Sequence, residues 1–191
     1  LIFMEGKTVR VFFDSEFTGL RQDTTLISIG LVAEDGSMFY AEFTDYDKNQ
    51  VFDWLQENVI DNLWLSNPDQ ARPEYCNEDS HLTTCLGDKE KVSLALLQWL
   101  SQWDQVEMWA DIIPFDWVLL CDLLGGILNF PQNLSYICYD ICTLLKMKGY
   151  EPMTTNREDF VGFTGVENKH NALYDALVVK ACYEKLTSLG S

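Results

Sequence analysis

The sequence predicts an α/β protein on a mixed sheet: an antiparallel N-terminal meander, then parallel strands, with helices on both faces. Three observations carry that expectation. Residues 8–43 hold three apolar, β-rich runs separated by turn signals. Beyond them, helical apolar spacing alternates with two short strand-like runs. Finally, 47% of the 191 residues are hydrophobic, enough to build the core of one domain spanning residues 1–191.

The elements follow in order. Val9–Phe13 reads as a buried strand ending in acid, and Thr25–Ala33 as a second strand. Glu34-Asp35-Gly36-Ser37 is a turn of the Asp-Gly type, and Met38–Phe43 returns as a third strand. Val51–Leu63 has helical spacing, with Phe52, Leu55, Val59 and Leu63 on one side. Ser66–Lys89, rich in Asn, Pro, Asp and Glu, is expected to be an irregular surface insertion, since so long a connection is unusual in a compact domain. Val92–Trp103 is an amphipathic helix and Val106–Ala110 a short strand. A helix over Phe115–Leu124 stops at Gly125-Gly126. Tyr136–Tyr139 is a fifth strand, running into a helix over Asp140–Lys148 that ends at Gly149. The last helix covers Asn171–Leu189, with Tyr174, Leu177, Val178, Ala181, Cys182 and Leu186 recurring at three- and four-residue steps.

The net charge of −17, from 30 acidic and 13 basic residues, opposes the basic face usual in nucleic-acid binders. Two arrangements reconcile it with such a ligand. Some carboxylates can hold divalent cations, which become the largest local positive charges, and the rest can lie on other faces. Any nucleic-acid ligand is then expected to bind weakly and in a salt-sensitive way. A different class also fits the charge: a non-catalytic acidic module that occupies a basic partner.

The six cysteines are Cys76, Cys85, Cys121, Cys138, Cys142 and Cys182, and the last four lie in apolar segments where a free thiol packs as a small hydrophobe. Cys76 and Cys85 fall in the polar stretch. No Cys-x-x-Cys is present, which argues against a zinc site. Leu1-Ile2-Phe3-Met4 is too short for a secretory core, and no apolar run approaches the ~20 residues that cross a bilayer. The expectation is a cytoplasmic, reducing-compartment protein with no membrane partner.

Three short patterns carry chemistry. Asp14-Ser15-Glu16 ends a strand, and residues two apart on a strand share a side, so two carboxylates converge at the carboxyl end of the sheet. Like charges that close need neutralising, and hard oxygen ligands suit magnesium or manganese. By itself Asp-x-Glu is common and is equally two solvated acids. Phe115-Asp116 opens a helix, where an acid also simply suits the helix dipole. His170 and Asp175 are five apart, which on one helix would separate them around the axis. If His170 lies in the approach and Asn171 caps the helix, both can face one point. His170 is one of two histidines, and its ordinary pKa suits a general base. The other, His81, lies in the polar stretch. The six tryptophans read as core or interface.

Together, Asp14-Ser15-Glu16-Phe17-Thr18-Gly19-Leu20, Phe115-Asp116 and His170 with Asp175 resemble the three motifs of the DEDDh exonucleases. These are RNase H-like proteins that include proofreading exonucleases, RNase T and oligoribonuclease. The order matches, and the span from Asp14 to Asp175 covers most of the chain. The stretches Phe13–Phe17, Leu26–Gly36 and Trp109–Leu120 resemble a small bacterial 3′-5′ exoribonuclease group first described from mycobacteria. Two departures stand out. Many members carry His-Asn ahead of the Phe-Asp pair, where this chain has Ala110-Asp111-Ile112-Ile113-Pro114, so Asp111 adds a negative charge. Phe17 stands where Thr or Ala is commoner.

The resemblance implies an RNase H-like fold and a two-metal 3′-5′ exonuclease that releases nucleoside 5′-monophosphates. The ions are Mg²⁺ or Mn²⁺. Asp14, Glu16 and Asp175 would hold the one that serves the attacking water. Asp14 would bridge to the second, with Asp116 assisting through water. His170 would take the water's proton. Phe17, Thr18 and Leu20 would line the pocket of the 3′ nucleotide, with Leu20 against the terminal base. The implied partner is a single-stranded RNA 3′ end. Single-stranded DNA is the alternative, because only the 2′-hydroxyl distinguishes the two. Small members are often homodimers, so a second copy is a further expectation.

Overall fold

The computed structural model describes residues 8–76, 81–164 and 169–189. Among these, one six-stranded sheet carries the fold, in the order β4-β3-β2-β1-β5-β6. The strands are β1 (Thr8–Phe17), β2 (Leu26–Ala33), β3 (Met38–Phe43), β4 (Leu82–Gly87), β5 (Gln105–Ala110) and β6 (Leu134–Asp140). β1, β2 and β3 form the expected antiparallel meander. β4 joins β3, β5 joins β1 and β6 joins β5, all in parallel. The sheet is therefore mixed, as the sequence predicts and as an RNase H-like fold requires.

The helices are α1 (Asp53–Asn58), α2 (Lys89–Leu100), α3 (Pro114–Leu123), α4 (Ile141–Met147), α5 (Arg157–Val161) and α6 (Ala172–Ser188). They cover both faces. Val11, Phe13, Leu31 and Phe39 pack with Val92, Leu96, Leu100 and Leu120 of α2 and α3. On the opposite face Phe12 packs with Ile141, Tyr174, Val178 and Cys182, and Val32 and Tyr40 pack with Leu173 and Ala176. All eight positions of β2 are buried, as befits a central strand roofed on both sides. None of the described helices is long and apolar enough to cross a membrane.

Two expectations need correction. The stretch 66–89 is not wholly irregular: Leu82–Gly87 is the edge strand β4, and Glu74–Cys76 is a 3-10 turn. Cys76 and Cys85 are accordingly buried rather than set in a polar loop. β4 exposes Thr83 and Thr84, so it lacks the apolar run that marks the inner strands. The helix expected over 51–63 is cut to α1 and a 3-10 turn at Ile60–Asn62, although Leu55, Val59 and Leu63 do pack together. Residues 1–4, read above for a leader, lie outside the described residues.

One close approach sets the geometry of the site. Gly30 of β2 pairs with Asp14 of β1 across the ladder. A Cβ on Gly30 would lie 2.3 Å from the backbone nitrogen of Leu173 and 2.4 Å from the carbonyl carbon of Ala172. Only glycine lets the first turn of α6 rest on the strand beside the acids. Gly30→Ala is expected to cost about 3 kcal/mol, as overpacking against rigid backbone does. Urea unfolding of the purified variant measures it; an unchanged midpoint would mean that α6 is free to shift.

Candidate active site

Strand alternation turns Asp14 and Glu16 to the face that also carries Phe12, under α6. Asp175, in the first turn of α6, meets them there. Oxygen atoms of Asp14, Glu16 and Asp175 lie within 4.8 Å of one another. Asp116, in the first turn of α3, reaches the same corner from the other side. Its Oδ1 accepts hydrogen bonds from the Ser15 amide at 3.0 Å and the Ser15 hydroxyl at 2.6 Å. The residue between the two strand acids therefore fastens the fourth.

The start of α6 is built by Asn171. Its side chain caps the helix by accepting from the Leu173 and Tyr174 amides, and it also accepts the Tyr75 hydroxyl at 2.9 Å. His170 precedes the cap with a φ of 63°, a left-handed conformation that costs a non-glycine residue about 1 kcal/mol. Its amide donates to the Asp175 carboxylate. Its ring packs edge-on against Trp54 at 4.9 Å, and Trp54 stacks on Phe52 at 6.3 Å. His170 thus lies in the approach and not on the helix, and Asn171 is the cap.

These groups open on a pocket of about 260 Å³ lined by Asp14, Asp175, His170 and Val178, with Asp111, Arg157, Glu158 and Lys169. The last three were not anticipated. Arg157 and Glu158 lie on α5, which has caps at both ends, Asn156 before it and Gly162 after it in a left-handed turn. Those caps are the signal that could have found it; five residues are too few for periodicity to show. Arg157 also settles the charge on Asp111, gripping it with Nε at 2.9 Å and an Nη at 3.1 Å. Asp111, Asp140 and Cys142 approach within 4.8 Å, but the guanidinium already contacts Asp111 and Cys142 and takes the place a cation would need.

The three residues expected to line the nucleotide pocket divide. Phe17 stacks on Phe115 at 5.7 Å, packed against the core. The Thr18 hydroxyl is buried in a network with Thr24, Thr25 and Gln50 that pins the loop after β1. Leu20, at the loop tip, is 79% exposed. None of the three lines the acid pocket itself.

Burial dominates the electrostatics. It raises Asp14 well above the carboxylate range, helped by the charges of Asp116, Asp175 and Glu16. Burial likewise lifts Glu16 to about 8, with Asp175 and Asp116 adding to it. Asp175 rises to about 7, through burial and then the charge of Glu158. Asp116 rises only to about 6, because the Ser15 hydrogen bonds oppose its burial. His170 is lowered, by burial and then by Lys169, so its ring is neutral and able to accept a proton near pH 7. Acids that hold protons this firmly have more negative than positive charge acting on them. Convergent carboxylate oxygens of this kind fit divalent cations.

Residues 9–187 match the 3′-5′ exoribonuclease Rv2179c-like domain. The chain belongs to that family. Two curated relatives are the 3′-5′ exoribonucleases Rv2179c and MT2234.1 of Mycobacterium tuberculosis strains H37Rv and CDC 1551. Each is 28% identical over 170 residues, covering 88% of this chain and 87% of the relative. Asp14, Glu16, Asp116, His170 and Asp175 all fall within the matched span, so the acid pocket is the candidate active site of a member of a nuclease family.

The crowding has a measurable consequence. The folded protein holds these protons to higher pH than the unfolded chain, whose carboxylates titrate near 4. Without divalent ions its stability is therefore expected to fall as pH rises from about 4 to about 8, through the values of Asp116, Asp175 and Glu16. Asp14→Asn removes a group that must take up a proton on folding and is expected to raise the Tm in chelator at pH 8 by about 3 °C or more. Thermal unfolding between pH 5 and 8 checks both; a flat profile with no gain for the variant would contradict the electrostatic account.

Proposed function

We propose that the protein is a DEDDh-type 3′-5′ exonuclease that trims single-stranded RNA to nucleoside 5′-monophosphates. One observation carries the proposal: Asp14, Glu16 and Asp175 converge within 4.8 Å in a pocket whose wall includes His170. The names of the curated relatives and the family support RNA as the substrate and the 3′ end as the start.

Asp14, Glu16 and Asp175 would hold one divalent cation, and Asp14 with Asp116 would serve a second. An all-carboxylate set of this kind suits Mg²⁺ or Mn²⁺. When bound, the cations supply the positive charge that a phosphodiester and its attacking water require. The protein's own groups do the rest. Neutral His170 accepts the proton of the attacking water at its unprotonated ring nitrogen. The water oxygen bonds to phosphorus, the bond to the 3′ oxygen of the shortened strand breaks, and that oxygen takes up a proton. Asn171 and the His170–Asp175 hydrogen bond hold the imidazole in place through this step. Leu20 and the stacked Phe52–Trp54 pair, all exposed, offer apolar surfaces to nucleobases, whose π faces stack with little regard to sequence.

A 5′-labelled RNA oligomer and its DNA counterpart, each incubated with Mg²⁺, Mn²⁺ or EDTA, test the reading. The expected result is a ladder shortening from the 3′ end of RNA, abolished by EDTA. His170→Ala is expected to slow it by about 10²- to 10⁴-fold, the usual contribution of a general base. Faster shortening of DNA would replace the substrate class. No shortening of either strand would favour the acidic binding module.

A further inference from the structure

Two cations stand among the acids of the pocket, and their bonding differs. Arg157 has no donor to spare. Its Nε and one Nη hold Asp111, the same Nη reaches the Cys142 sulfur, and the other Nη donates to the carbonyls of Pro152 and Thr155. A guanidinium has five N–H groups, and these contacts use them all. Arg157 is a fastening between segments and cannot turn to a ligand without breaking them.

Lys169 is differently placed. It immediately precedes His170, lines the pocket, and is 39% exposed at its side chain. Its Nζ lies 2.7 Å from Oε2 of Glu158. An ammonium has three donors, so this contact leaves two. Glu158 is a firm tether. Its side chain is 14% exposed, and its other oxygen, Oε1, is buried with no hydrogen-bond partner among the described residues. A lysine that swung away would strand that buried charge, which is costly. The ammonium is thus fixed at the pocket wall with donors to offer.

The substrate's charge supplies the reason for such a group. A strand entering this pocket meets Asp14, Asp111, Asp175 and Glu158 at its wall, with Glu16 close behind, on a chain of net charge −17. We propose that Lys169 is a substrate-binding residue, holding a backbone phosphate of the bound strand with the donors that Glu158 leaves free. The proposal rests on the exonuclease reading and adds to it a residue outside the acid–histidine set. Glu158 is then a positioning residue, acting through Lys169.

Fluorescence anisotropy of a labelled single-stranded RNA oligomer, titrated at several salt concentrations in Mg²⁺ with protein carrying His170→Ala so that the oligomer stays intact, tests the contact without relying on turnover. Removing one phosphate contact is expected to weaken binding about tenfold and to reduce the slope of log affinity against log salt by about 0.7. Lys169→Met and Lys169→Gln should both show this. Lys169→Arg should restore most of the affinity and the slope. Glu158→Gln keeps the ammonium, so it should preserve the slope while loosening its position. Unchanged affinity and slope in both neutral variants would overturn the proposal. So would equal kcat losses in Lys169→Met and Glu158→Gln with binding intact, because the pair would then serve only to place His170. Whether wild-type protein shortens the same RNA is read separately, so failure of the exonuclease reading is told apart from failure of this contact.

Discussion

The site depends on one contact in which a side chain is missing. Asp14 can be joined by an acid from α6 only if the helix comes down onto the neighbouring strand, and Gly30 leaves the space for its backbone. The remaining features follow from that landing point. Asn171 must end the helix there, and it does so by accepting from two amides and the Tyr75 hydroxyl. His170 must then turn sharply in the residue before, hence its left-handed backbone. Backbone strain at one residue is a small cost beside the capping and packing that impose it.

A buried carboxylate elsewhere in the chain shows what is special about these acids. Glu42 is fully buried on β3, yet its oxygens accept from the Tyr40 hydroxyl and the amides of Leu65 and Ser66. Those donors supply the stabilisation that water would have given, and the residue works as a structural bracket. Asp14 and Glu16 are half-buried with the opposite surroundings: every neighbour acting on them pushes the same way, toward protonation. Asp116 lies between these cases, moderated by Ser15. Charge left unanswered at one corner and answered fully at another marks the first as the candidate functional site.

The sequence disclosed these groups unevenly, for physical reasons. Asp14 and Glu16 were legible because a two-residue period on a strand is rigid, and α6 because its apolar stripe runs the length of the helix. β4 was hidden because an edge strand needs less apolar surface, and Thr83 and Thr84 look like loop residues. α5 was hidden by brevity, and with it Arg157 and Glu158. Phe17 and Thr18 were placed by motif alone. A motif fixes the path of the backbone, but what the side chains meet is visible only in the structure: Phe17 stacks on Phe115, and the Thr18 hydroxyl bonds Gln50. Asp111, read as surplus negative charge, could not be judged without its partner 46 positions along the chain.

The saturation of Arg157 limits how this protein can vary. One planar group joins the end of β5, the start of α4, the 152–155 turn and α5, using directions that an ammonium cannot reproduce. Lysine would keep the charge and lose the joints. Change at this corner must therefore be concerted: losing Asp111 leaves a half-buried cation without its anion, and losing Arg157 returns an anion to the acid pocket. A relative without an acid at position 111 would have no use for an arginine here, so the two positions should drift through evolution as a linked pair.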